Sequence, residues 1–134
     1  MRYLLLTPFL FAALFAASPA PVQAQGAERQ YASANDIPLV VIRFNQRRVF
    51  FEKPLYNAVA KAVAVKPNVV FDVVSFVPQG SSSDSQERLD ANAAGQQGQV
   101  VKTLQQIGIP RNQIRVSRDV APDAQFHEVY VYVE

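Results

Sequence analysis

The sequence predicts an α+β two-layer sandwich, ordered β-α-β-α-β-β, with a mixed four-stranded sheet and two helices on one face. Three observations predict it. Stretches with apolar residues at helical spacing alternate with short β-branched runs. The run "VVFDVVSFV", 69–77, is apolar at every position but Asp72 and Ser75, as a central strand buried on both faces should be. Only two helical stretches occur, and two helices cannot cover both faces of a four-stranded sheet.

Each element has its own warrant. "LVVIRF", 39–44, reads as the first strand, and "NQRR" turns it. From Pro54 the apolar residues Leu55, Ala58, Val59, Ala62 and Val63 recur on one helical face, and Pro67-Asn68 stops that helix. Pro54 is tolerated near a helix start because its missing N–H would be unpaired there. Strand 69–77 follows. "PQGSSSDSQ", 78–86, reads as a loop in which Ser83, Asp84 or Ser85 caps the next helix, with Asp84 and Glu87 at capping-box spacing. Leu89, Ala93, Val100, Leu104 and Ile107 mark its buried stripe. Gly108 is the expected left-handed stop, backed by Pro110. Ile114–Ser117 reads as a short strand and "DVAPDAQF" as a loop. "EVYVYVE", 128–134, alternates Val129, Val131 and Val133 with Tyr130 and Tyr132. Connections between parallel strands should be right-handed.

The start of the chain reads as a secretory signal peptide, residues 1–24. A basic head at Arg2 precedes an apolar run from Leu4 to Ala17, too short to span a bilayer well. Val22-Gln23-Ala24 fits a small-x-small cleavage site. Residues 25–37 then form a polar leader and 38–134 the domain. This predicts a periplasmic protein without a membrane span after cleavage, and without a lipidated cysteine. The chain has no Cys, which removes disulfides and thiolate chemistry, so the domain must be held by its core. Its net charge of +2 is no footprint for nucleic acid.

Candidate chemistry is sparse. Serines 81, 82, 83 and 85 lie in a loop without a partnered base, and His127 is the one His. Neither an enzyme nor a cofactor or metal site is expected. Arg43 should share the sheet face away from the helices with Tyr130 and Tyr132, which is either interface chemistry or cross-strand stacking. Arg47 and Arg48 in the turn offer a grip for an acidic partner or a solvated turn. Gly95 and Gly98 weaken the second helix. They allow a close approach of another backbone or mark a helix frayed at its front. The run "AAGQQGQ", 93–99, is also uncharged where a helix normally shows charges to solvent.

Taken together, "VIRFNQ", "EKPLYNAV", "VVFDVVSFV", "VVKTLQQIGIPRNQIRV" and the closing "HEVYVYVE" resemble the C-terminal, peptidoglycan-associating domain of the OmpA family, from about Leu39 to Glu134. The resemblance implies an OmpA-like sheet with the last strand antiparallel beside the first. It also implies a ligand site in which an Asp after the second strand and an Arg on the second helix bind diaminopimelate. A carboxylate suits that ligand's ammonium and a guanidinium grips its carboxylate. With Gly108 aligned, the Asp position falls near Pro78 and the Arg position on Gln96. Positions usually Asn and Ser fall on Leu89 and Ala93. Gln96 brings no charge, and neither Arg nor Lys occurs between Arg88 and Lys102. The uncharged run is therefore where the family keeps its ligand charge. Two functions remain: an envelope module that contacts a protein partner with its peptidoglycan site degenerate, or peptidoglycan binding through other residues. For the second, Asp84 is the alternative loop carboxylate and Arg47 and Arg48 the basic groups.

Overall fold

The computed structural model describes residues 37–134. The expected signal peptide and all of the expected leader except Ile37 lie outside the described residues. The elements are β1 (Val40–Arg43), α1 (Glu52–Val65), β2 (Phe71–Pro78), α2 (Ser83–Ile107), β3 (Ile114–Ala121) and β4 (Glu128–Val133). A single 3-10 turn, Arg111–Gln113, leads into β3. The fold is α+β, with a mixed four-stranded sheet ordered β1-β4-β2-β3 and two helices. β4 lies between β1 and β2 and is antiparallel to both, while β2 and β3 are parallel.

Alternation along the strands divides the apolar residues between two faces. Ile42, Phe71, Val73, Val129, Val131 and Ile114 form one core with Leu55 and Val59 of α1 and Val100 and Leu104 of α2. Both helices therefore cover the same face. On the other face Val74, Phe76, Tyr132 and Ala121 make a smaller cluster, joined by Tyr130 and Ala124. β2 is thus buried on both sides, as its composition predicts.

α1 starts at Glu52 rather than Pro54, with the Phe51 carbonyl accepting the first helical bond from the Leu55 N–H at 2.9 Å. Pro54 still falls in the first turn, where no N–H is needed. Gly108 ends α2 at φ 111°, its amide directed to the carbonyls of Gln105 and Leu104. That left-handed cap is the one expected.

Three expectations need correction. The α2 cap is Ser82, not a residue from 83 to 85, and its capping-box partner is Ser85 rather than a Glu87 paired with Asp84. The Ser82 hydroxyl accepts from the Ser85 N–H at 3.2 Å, and the Ser85 hydroxyl accepts from the Ser82 N–H at 2.9 Å. Gln86 sets this register: its Oε1 accepts from the Gly80 N–H at 2.7 Å, folding the loop back onto the helix start. Next, β3 runs to Ala121 and takes in Arg118-Asp119-Val120, so the loop is shorter than "DVAPDAQF". β3 has a neighbour on one side only among the described residues, and such a strand tolerates charges that a central one would not.

Finally, α2 is continuous through Gly95 and Gly98, so its front is not frayed. Apart from the helix's own adjoining backbone, no atom of the described residues lies within 4 Å of where a Cβ would stand at either glycine, so neither admits another backbone among them. Gly95→Ala and Gly98→Ala should therefore each raise stability by about 1 kcal/mol, since helix propensity alone changes. Urea midpoints check this, and an unchanged or lower midpoint for either variant would contradict it.

Candidate functional site: an uncharged cavity between α2 and the β3–β4 loop

β1 and β4 set the site's floor. The Phe44 N–H donates to the His127 carbonyl at 2.9 Å, continuing the β1–β4 ladder past its last strand pair. Phe44 and His127 therefore lie side by side, and their rings stack at 5.2 Å between centroids, 16° from parallel. Phe51 meets the Phe44 ring edge-on at 6.1 Å and supports it from α1's side.

His127 is fixed at both nitrogens. Nδ1 lies 2.6 Å from Gln96 Oε1 and Nε2 lies 3.0 Å from Ser75 Oγ. A carbonyl oxygen only accepts, so Nδ1 carries the proton and Nε2 accepts from the Ser75 hydroxyl. Burial drives the imidazole pKa down to about 4, with the positive charge of Arg118 a smaller cause in the same direction. The ring is therefore neutral at neutral pH. Arg118 itself reaches α2, donating to the Asp90 carbonyl at 3.4 Å.

The neighbouring glutamine serves the fold. Gln97 is buried, and its Nε2 donates to the carbonyls of Val73 at 3.0 Å and Ser117 at 2.7 Å, joining α2 to β2 and β3. Both glutamines Gln96 and Gln97 of "AAGQQGQ" are thus turned inward, one to the imidazole and one to the sheet.

Above this floor lies a cavity of about 210 Å³, lined by Phe44, Pro78, Leu89, Asn92, Ala93, Gln96, Gln125, Phe126 and His127. Pro78 ends β2, and its carbonyl accepts from Gln86 Nε2 at 3.3 Å. Leu89, Asn92, Ala93 and Gln96 follow one another along α2, at the three- and four-residue spacing that puts side chains on one face. Gln125, Phe126 and His127 come from the chain between β3 and β4. All four positions that the resemblance assigns to ligand contact, Pro78, Leu89, Ala93 and Gln96, line this one cavity, and no lining side chain is ionised at neutral pH.

The other candidates lie elsewhere. Asp84 sits exposed in the first turn of α2 and does not line the cavity. Arg47 and Arg48 are exposed in the turn after β1, and the Arg48 guanidinium stands over the Phe50 ring at 5.0 Å. Arg43, Tyr130 and Tyr132 do share the face away from the helices. Glu128 joins them: Arg43 Nε lies 3.7 Å from Glu128 Oε1, and the Tyr130 hydroxyl donates to Glu128 Oε2 at 3.0 Å. The two tyrosine rings lie 6.2 Å apart, and Phe76 meets Tyr130 edge-on at 4.9 Å. Burial first, and then the Glu128 carboxylate, raise the Tyr130 pKa. Among the described residues, no three His, Cys, Asp or Glu side chains come together to hold a metal.

Sequence reasoning missed the Ser75–His127–Gln96 chain and the role of Gln97. A signal for Gln97 existed. The apolar stripe of α2 skips from Ala93 to Val100, and position 97 is where a helix places the missing buried side chain. Ser75 and His127 lie 52 residues apart, and no local pattern joins them.

The Ser–His–Gln chain has the connectivity of a catalytic triad but not its chemistry. Ser75 is fully buried and does not line the cavity. Gln96 orients the ring without the charge that would stabilise an imidazolium. An imidazole with a pKa of about 4 is a weak base at neutral pH. The arrangement holds His127 still and presents a neutral wall. No family model matches the chain, and no curated protein matches it.

Proposed function

We propose that this chain is a non-catalytic, OmpA-like module of the bacterial periplasm or cell envelope, acting as a protein-interaction or envelope-assembly component whose peptidoglycan site is degenerate. The carrying observation is the neutral lining of the cavity where the resemblance expects opposite charges. A zwitterion entering it would lose water at both ends and gain no ionic partner, a cost that hydrogen bonds to amides do not offset. The face bearing Arg43 and Tyr130 is the surface for a partner, since Arg and Tyr are enriched at binding hot spots, while Tyr132 lies buried beneath it in the smaller cluster. Its Arg43–Glu128 pair is too exposed to matter much for stability, which frees it for recognition. Among the described residues no helix is long and apolar enough to cross a membrane.

Co-sedimentation with purified sacculi, beside a partner pull-down from an envelope extract, tests the reading. The domain should bind sacculi weakly or not at all, and Gln96→Arg alone should not create strong binding. One restored charge leaves the other end of the ligand unpaired. Pro78→Asp with Gln96→Arg should gain more than the sum of the single variants, because both groups act on one ligand. Tight, saturable pelleting of the parent would overturn the proposal. For the partner surface, Arg43→Ala with Tyr130→Ala should abolish a capture that the parent gives.

A further inference from the structure

The cavity between α2 and the β3–β4 loop is built from amides and rings. The Gln96 carbonyl oxygen is taken by His127, while its NH₂ group has no partner among the described residues. The side-chain amides of Asn92 and Gln125 likewise make no hydrogen bond among the described residues, so both can offer a donor and an acceptor to an incoming group. Asn92 and Gln96 stand one helical turn apart on α2, and Gln125 comes from the other element of the wall. Phe126, 45 % exposed, with Leu89 and Pro78 adds apolar surface to the same lining.

This lining discriminates among ligand classes. An ion would lose its hydration without a counter-charge. A wholly apolar group would strip water from three amides and leave them unpaired. A peptide presents its amides along an extended line that needs a longer groove, whereas a cavity of about 210 Å³ takes a group of roughly one ring. Adjacent hydroxyls on a saturated ring both donate and accept, matching amides that do the same, and the ring's C–H face suits an aromatic and aliphatic wall. The geometry points to a binding site for one ring of an uncharged carbohydrate, held by Asn92, Gln96 and Gln125 against Phe126. This inference rests on the lining alone. A domain that pellets with sacculi leaves it standing, and a failed sugar titration leaves the interaction reading standing.

The test uses three sugars of one ring size and different charge: neutral N-acetylglucosamine, cationic glucosamine and anionic glucuronic acid. Each is titrated into the 15N-labelled domain while the Asn and Gln side-chain amide signals are followed. N-acetylglucosamine should shift the Asn92, Gln96 and Gln125 signals saturably, and the charged sugars should bind at least about tenfold more weakly. Asn92→Asp, at an exposed position of α2, should fold normally and reverse the order of neutral and cationic sugars. Gln96→Glu should do the same from inside the cavity. Equal binding of the three sugars, shifts confined to other residues, or no saturable shift from the neutral sugar at tens of millimolar would overturn the assignment. An Asn92→Asp variant that folds and keeps the parent's order would overturn it as well.

Discussion

Leu104→Ala should destabilise the domain by about 2–5 kcal/mol, the range for deleting a fully buried leucine and leaving a cavity. Leu104 is 0 % exposed and packs in the helix-facing core with Val100 and Val59. It stands in the last turn of α2, just before the Gly108 cap, and its carbonyl accepts from the Ile109 N–H at 3.1 Å. The cap anchors that turn, so the helix end has little freedom to collapse into the space left by the side chain. This places the expected loss toward the upper part of the range. A small domain without disulfides has few kcal/mol in reserve. The variant should therefore be partly unfolded at physiological temperature, with its urea midpoint lowered and its slope unchanged. A midpoint equal to the parent's would mean that this turn does not hold the core.

How far such features can be read in advance depends on their range along the chain. β2, α1 and the end of α2 are legible because composition, helical spacing and Gly108 are local signals. β3 is legible only in part. Its first half opens on Ile114, but Arg118-Asp119 looks like loop until the parallel pairing with Ser75 and Phe76 is known. The cap at Ser82 is ambiguous among neighbouring serines, and a contact six residues apart, between Gly80 and Gln86, settles it. For the site, the family resemblance picks out Pro78, Leu89, Ala93 and Gln96, and these do line one cavity. His127 was outside reach for a different reason. Its position depends on β4 lying between β1 and β2, so that its carbonyl meets Phe44 and its ring meets Ser75.

That placement makes His127 an acid-sensitive point in the fold. Stability should fall as pH drops from 6.5 toward about 4, by up to about 3 kcal/mol. The sign follows from proton counts. Above the unfolded-chain value of 6.5 neither state holds the proton, and the contribution is fully present. Between 6.5 and about 4 the unfolded chain takes a proton that the folded ring refuses, so acid favours unfolding. Below about 4 both states carry it and this slope vanishes. His127 is only 8 % exposed but lines the cavity, so water there screens part of the penalty and the full figure is an upper bound. Its packed surroundings are the neutral Ser75, Gln96 and Phe44, and the positive charge of Arg118 acts in the same direction. Asp72 opposes it at the acid end. Burial, and then Glu134, raise the Asp72 pKa above 3.8, a contribution present below that value and lost as pH rises. The measurement is therefore a difference: urea stability of the parent against His127→Gln across this window. The variant should start less stable at neutral pH through loss of the Phe44 stack, yet show a shallower acid decline. Because the chain has a single His, its ring proton signals also report the titration directly, with a midpoint well below 6.5. Parallel stability curves together with a midpoint near 6.5 would show that the ring is solvated and that the Ser75–His127–Gln96 chain does not hold it.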